Sequence, residues 1–195
     1  MTSLVLIPWA GTDWSADGRF ASTTPLPLNS EGRTLAGTWG DVLAARELRT
    51  LYSSKEQASV ETASLVAQRS EAKYKHVEGV QEIGFGLWEG LTEEQLLSRF
   101  PKLLKQWVED PPSVHIPDGE DYKQAAARIN SALRRIAKKS RNGATGVVLG
   151  PVVMALGRCE LENVPIGRLR EFIAREPVWY ELDPSGKKAA SAARA

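Results

Sequence analysis

The sequence has few of the residues that build disulfide frameworks or metal sites. Among 195 residues there are two histidines and one cysteine, Cys159. A single cysteine cannot form an intramolecular disulfide, so we expect a cytoplasmic protein. Cys159 lies on a predicted helix with no histidine beside it, which favours a small buried apolar side chain over a nucleophile. We expect no metal ion and no cofactor.

An excess of charge of one sign is also absent. Lysine and arginine number 25 and aspartate and glutamate 24, which leaves a net charge of +1. This balance provides no long-range attraction for polyanions, so we expect neither nucleic acid nor membrane as a partner. The basic residues of a helix predicted for 121–139 are explained by a solvated helix face. The apolar run Leu4–Ile7 is far too short for a signal peptide or a membrane span.

The sequence does have enough apolar residues for one sizeable core. Apolar residues make up 42% of the chain, and its length favours one domain over two. We assign residues 1–184 to this domain. Residues 185–195 are rich in alanine, serine and lysine, which predicts a flexible tail.

Hydrophobic patterning predicts alternating strands and helices. Strands are expected at 3–8, 50–53, 74–77, 146–149 and, at an edge, 178–182; helices are expected at 32–47, 57–68, from Thr92 with an interruption at Pro101, at 121–139 and from Pro151. This alternation predicts an α/β fold, a three-layer sandwich with a mostly parallel sheet and helices on both faces. A ligand crevice is expected at the carboxyl ends of the strands, after Pro8 and Leu149.

Several segments resemble one known family in the same order. They are LIPWAGTDWSADGRF at 6–20, Ser53-Ser54 followed by Thr62-Ala63, EIGFGLWEGLT at 82–92, Gly119-Glu120 and GPVV at 150–153. Together, over about residues 3–183, they resemble the histidine phosphatase superfamily, the phosphoglycerate mutase-like and alpha-ribazole phosphatase-like proteins. The segment 82–92 is the most specific match. The resemblance implies the same three-layer α/β fold.

The resemblance also implies that the residues of phosphoryl transfer are replaced. Trp9 occupies the position of the nucleophilic histidine, and Pro8, Ala58 and Leu149 occupy those of two arginines and a second histidine. An indole nitrogen is only a donor, so Trp9 cannot carry a phosphoryl group. Each lost charge-assisted hydrogen bond is worth roughly 1.5–3 kcal/mol, so we expect weak phosphate binding.

Other positions of the relict site leave alternatives open. Glu82 stands at the position of the family's proton donor, with Arg19 nearby and Gly150 following Leu149. The Glu82 carboxylate is expected to cap a helix or to pair with Arg19. Trp9 is expected to fill the former site with apolar bulk, the alternative being a stacking platform for a ligand. Leu149 is expected to belong to packed core.

Two classes of function follow. The first is a catalytically inactive protein, a pseudoenzyme, that uses the scaffold to bind a ligand, an unknown protein partner or a second copy as a homodimer. Any exposed residue among Trp14, Trp39, Trp88, Trp107 and Trp179 would anchor such an interface. The second is a weak or divergent phosphomonoesterase that uses Glu82 as general acid or base on water.

Overall fold

A single six-stranded sheet organises the chain. The structure is a computed structural model that describes residues 3–140, 143–173, 177–182 and 188–190. The strands are β1 (Ser3–Pro8), β2 (Leu48–Ser53), β3 (Lys73–His76), β4 (Ala144–Leu149), β5 (Tyr180–Leu182) and β6 (Lys188–Ala190), in the spatial order β3-β2-β4-β1-β5-β6. The first four strands in this order are parallel, while β5 and β6 are antiparallel to their neighbours. The predicted fold class is confirmed.

Helices cover both faces of this sheet. They are α1 (Asp13–Ala16), α2 (Ser30–Ala44), α3 (Gln57–Ser70), α4 (Glu93–Arg99), α5 (Pro101–Glu109), α6 (Tyr122–Lys139) and α7 (Pro151–Leu161), with 3-10 turns at Gly86–Trp88, Pro111–Ser113 and Ile166–Phe172. Successive side chains of a strand point to opposite faces. Accordingly, Leu4 and Leu6 of β1 join the core beneath α6 and α7, whereas Val5 and Ile7 join the core beneath α2 and α3.

Local sequence signals set where several helices begin. Thr92 and Gln95 form the predicted capping box at the start of α4. Pro101 separates α4 from α5, and Pro151 occupies the first turn of α7.

Within the described part of the chain, no helix is both long enough and apolar enough to cross a bilayer.

The C-terminal region differs from its prediction. The predicted strand 178–182 is shorter, Tyr180–Leu182, and does not lie at an edge, because β6 pairs on its outer side. Lys188–Ala190 fall within the predicted flexible tail but form this strand. The rest of that tail, and the domain boundary at residue 184, lie outside the described residues.

The burial of Cys159 and of the tryptophans tests two of the expectations. Cys159 is buried, as expected, and burial raises the pKa of its thiol. Four of the five tryptophans considered as interface anchors are 2% exposed or less, and only Trp14 is partly exposed. The tryptophans therefore supply core packing, and they do not by themselves mark a protein interface.

Arg158 fixes the segment that follows α7. Its side chain is almost buried, and its guanidinium lies 4.5 Å from the ring centroid of Phe172 and 3.8 Å from that of Tyr180. It also forms an ion pair with Glu162 at 2.8 Å. Since Phe172 and Tyr180 line a cavity next to β1, this stacking holds one wall of the candidate site.

Candidate functional site

A cleft lies where β1 and β4 end, as expected for a parallel sheet. It has two parts, a cavity of about 510 Å³ lined by Arg170 and a cavity of about 550 Å³ lined by Tyr180. We call them the Arg170 cavity and the Tyr180 cavity. Both are walled by Trp9, Thr12, Ser15, Arg19, Pro151 and Ile173. These shared walls make the two cavities neighbouring parts of one cleft.

Trp9 forms a wall of the cleft and does not fill it. Trp9 is 8% exposed, and its backbone N–H donates to the carbonyl of Leu149 at 2.9 Å. Leu149 is fully buried, as expected, and lines neither cavity. Ala58 is buried in the same core as Trp9, whereas Pro8 lines the Tyr180 cavity. Of the four positions that the resemblance assigned to the site, Ala58 and Leu149 therefore belong to the core, whereas Pro8 and Trp9 line the cleft.

Glu82 caps the N-terminus of α7. Its Oε1 accepts hydrogen bonds from the N–H groups of Ile83 and Val153 at 2.7 and 2.9 Å, and its Oε2 accepts from Val152 at 2.8 Å. Pro151 has no N–H, and Gly150, at the N-cap, has no side chain to cap the helix. A residue distant in sequence therefore satisfies the free N–H groups of α7. The predicted helix-capping role of Glu82 is confirmed.

Gly150 makes this approach possible. A Cβ atom at position 150 would lie 2.3 Å from Oε2 of Glu82 and 2.9 Å from its Cβ. Any larger residue would therefore push the carboxyl group away from α7. Gly150 thus contributes to the capping of α7 through the space that it leaves for Glu82.

The carboxyl group of Glu82 is removed from solvent and from the cleft. Glu82 as a whole is 4% exposed, and it lines neither the Arg170 cavity nor the Tyr180 cavity. Burial raises the pKa of Glu82 to about 8, and nearby Glu56 adds to this, although the three N–H donors favour the ionised form. Glu56 also accepts the N–H of Glu82 at 2.6 Å and a hydrogen bond from Ser54. The sequence did not single out Glu56.

The raised pKa of Glu82 predicts a pH-dependent stability. Folded Glu82 binds a proton up to about pH 8, whereas the unfolded chain releases it near the ordinary value of 4.5. The contribution of Glu82 to the free energy of unfolding is therefore largest below about pH 4.5 and is lost as the pH rises towards 8. With ~1.4 kcal/mol per pKa unit, the loss amounts to a few kcal/mol.

Urea unfolding of wild type between pH 5 and 9 measures this loss. Glu82→Gln is the matched control, since it cannot titrate and should remove the component assigned to Glu82. The same pH profile in both proteins would contradict the assignment. The glutamine variant should also be less stable throughout, because its NH₂ group would face the N–H of Val152 or of Ile83 and Val153.

The alternative for Glu82, an ion pair with Arg19, is not formed. The Nη1 atom of Arg19 donates to the carbonyl of Gly90 at 2.8 Å, and its Nε lies 3.2 Å from Oδ2 of Asp17. Arg19 also forms an antiparallel bridge with Thr92. This bridge brings Arg19 to the loop before α4, where its side chain lines both cavities.

The fold brings further residues to the cleft that the sequence did not indicate. Trp107 of α5, Glu93 of α4 and Arg170 of the last 3-10 turn line the Arg170 cavity. No local motif joins these three positions. The side chain of Arg170 joins them, through an ion pair with Glu93 and a position 5.8 Å from the ring centroid of Trp107. These contacts link positions far apart in the chain, so no signal in the sequence could have identified them as a group.

Comparisons with known proteins identify the same family that the sequence resembles. The family model of the histidine phosphatase superfamily (branch 1) matches residues 4–193. Phosphoserine phosphatase 1 of Hydrogenobacter thermophilus is 26% identical over 172 residues, 88% of this chain and 82% of that protein. Two solved structures share the fold: YhfR of Bacillus stearothermophilus (TM-score 0.83, 24% identity, 98% and 96% covered) and the alpha-ribazole phosphatase of Shigella flexneri (TM-score 0.84, 19% identity, 99% and 97% covered).

Proposed function

This chain belongs to the histidine phosphatase superfamily, and we propose that it is a catalytically inactive member whose cleft binds a ligand or a protein. The observation that carries this proposal is that Trp9 lines both cavities, at the position that the resemblance assigns to the nucleophilic histidine. Its indole offers no lone pair for attack on phosphorus. Loss of the nucleophile in another hydrolase class lowers the rate on the order of a millionfold.

The placement of Glu82 supports the same proposal. A general acid or base must reach the reacting group within hydrogen-bond distance or through one water molecule. The carboxyl group of Glu82 is instead buried against the N–H groups of Val152 and Val153 at the start of α7 and that of Ile83. A phosphomonoesterase that relies on Glu82 would have to release this residue from α7.

The proposal extends to the partners of the protein. With Pro8, Ala58 and Leu149 at the positions of the family's phosphate-binding side chains, the cleft binds phosphate weakly. The scaffold then acts through another ligand, a protein partner or a second copy of the chain. Its near-neutral net charge of +1 makes nucleic acid and anionic membranes poor partners. We also propose that it acts in the cytoplasm.

A phosphatase assay tests the loss of catalysis. Wild type and Glu82→Gln, purified in parallel, are incubated with p-nitrophenyl phosphate and a panel of phosphorylated metabolites. We expect no turnover by wild type above that of the variant, which also controls for contaminating host phosphatases. Wild-type turnover that Glu82→Gln abolishes, while the variant remains folded, would overturn the proposal and indicate water activated by Glu82.

A further inference from the structure

We propose that the Arg170 cavity binds an uncharged organic molecule whose aromatic or apolar body packs against Trp9 and Trp107. This inference rests on the proposed function, because it gives the non-catalytic cleft a ligand class. It is carried by an aromatic wall in which the charged groups and the hydroxyl groups already have partners within the chain. The cavity, at about 510 Å³, lies within the range of volumes that small organic ligands occupy.

The aromatic wall favours an apolar or aromatic body in the ligand. Four aromatic side chains from separate parts of the chain line the cavity, those of Trp9, Phe20, Phe85 and Trp107. Phe20 and Phe85 pack edge to face with ring centroids 5.0 Å apart, which gives this part of the wall a defined shape. Contact with these rings removes the apolar surface of a ligand from water, so an apolar body is bound in preference to a polar one.

The charged side chains of the wall are balanced by partners within the chain. Arg19, Glu93 and Arg170 are the described ionisable residues that line the cavity. Nη2 of Arg170 lies 3.3 Å from Oε1 of Glu93, and Nε of Arg19 lies 3.2 Å from Oδ2 of Asp17. These two pairs leave no net charge. An anion or a cation would therefore lose its hydration in the cavity without gaining an unpaired counter-charge, which favours an uncharged ligand.

The hydroxyl groups of the wall are also engaged. Thr12 and Ser15 form the capping box of α1, in which Oγ1 of Thr12 accepts the N–H of Ser15 at 3.1 Å and Oγ of Ser15 accepts the N–H of Thr12 at 2.8 Å. Oγ of Ser15 also donates to the carbonyl of Thr12 at 2.8 Å. A strongly polar ligand would find few groups here to replace its hydration, so the ligand is held mainly by apolar contact.

Three probes with the same naphthalene ring differ in charge: naphthalen-2-ylmethanol is neutral, 2-naphthoate is an anion and naphthalen-2-ylmethylammonium is a cation. Binding is followed by the indole N–H signals of the six tryptophans in ¹⁵N–¹H NMR spectra at neutral pH and constant ionic strength. We expect the alcohol to shift the signals of Trp9 and Trp107 saturably. The signal of Trp39, which lines neither cavity, should stay unchanged. Each charged probe should bind at least about fivefold more weakly than the alcohol.

The variant Glu93→Gln tests whether the balance of charge sets this preference. It leaves Arg170 without its counter-charge at the cavity wall, so 2-naphthoate should gain at least about threefold in affinity relative to the alcohol. Glu94→Gln is the matched control, because Glu94 is the next residue of α4, is exposed and lines neither cavity. It should retain the wild-type preference. Thermal unfolding verifies that both variants are folded.

Three results would overturn the inference. They are the absence of a saturable shift of Trp9 by the alcohol, binding of either charged probe by wild type as tightly as the alcohol, and no gain of 2-naphthoate in Glu93→Gln beyond that in Glu94→Gln. Without phosphatase turnover, any of them would overturn only the ligand class. Turnover that Glu82→Gln abolishes would overturn the inactive character of the protein, whereas selective binding of the alcohol would still assign this cavity.

Discussion

Replacing Glu82 with alanine is expected to lower the free energy of unfolding by about 3–5 kcal/mol, since buried donors left without an acceptor cost roughly 1–3 kcal/mol each. Three N–H groups lose their acceptor, those of Ile83, Val152 and Val153. Water entering from the neighbouring cleft would replace part of what is lost, which keeps the expected value below the simple total. Urea unfolding at pH 6, followed by circular dichroism, measures the effect.

The control for this variant is Glu94→Ala. Glu94 lies one residue into α4 and is exposed to solvent, so its removal should change the free energy of unfolding by about 0.5 kcal/mol or less. A loss below about 1 kcal/mol for Glu82→Ala would show that the start of α7 does not depend on this carboxyl group. The position would then be open to a different role, including acid catalysis.

Restoring the family's four residues is expected to restore phosphate binding before turnover. The variant Pro8→Arg/Trp9→His/Ala58→Arg/Leu149→His should bind inorganic phosphate at least roughly a hundredfold more tightly than wild type. Two guanidinium bonds of about 1.5 kcal/mol or more already give this factor. Isothermal titration calorimetry measures the affinity, and the single variant Trp9→His, which adds no guanidinium, should gain little.

The quadruple variant needs a control for stability, because two of its changes lie in the core. Ala58 is 4% exposed and Leu149 is fully buried, so their polar replacements destabilise the protein unless phosphate is present. Phosphate should accordingly raise the melting temperature of the quadruple variant. The double variant Pro8→Arg/Trp9→His, which changes only residues lining the Tyr180 cavity, should still gain about tenfold. A folded variant without any gain would show that the resemblance assigns the wrong positions.

Local sequence predicted much of the fold because local interactions decide where elements begin and end. The strand predicted at 3–8 has the same bounds as β1, and the capping box of Thr92 and Gln95 opens α4 as expected. Hydrophobic runs identified buried parallel strands for the same reason, since both faces of such strands are covered. The late strand was placed at an edge in error, because its outer partner, β6, lies in a segment without apolar bulk.

The candidate site was predictable only in part. The position of Pro8 and Trp9 at a strand end followed from the pattern, and the structure places both in the wall of the cleft. The sequence did not predict which groups the Glu82 carboxylate contacts, because a helix cap and an ion pair with Arg19 were both compatible with it. The choice depended on α7 presenting two free N–H groups within reach of Glu82.

By itself, the sequence determined the alternation that specifies the α/β fold, and the chemistry that each position can offer. An indole at position 9 cannot accept a phosphoryl group in any environment, because this is a property of the side chain. Only the tertiary structure decided that the Glu82 carboxyl group accepts hydrogen bonds at the start of α7. It also decided that Arg170, Trp107 and Phe20 line one cavity. These arrangements join residues far apart in the chain, so packing alone determines their distances and their exposure to solvent.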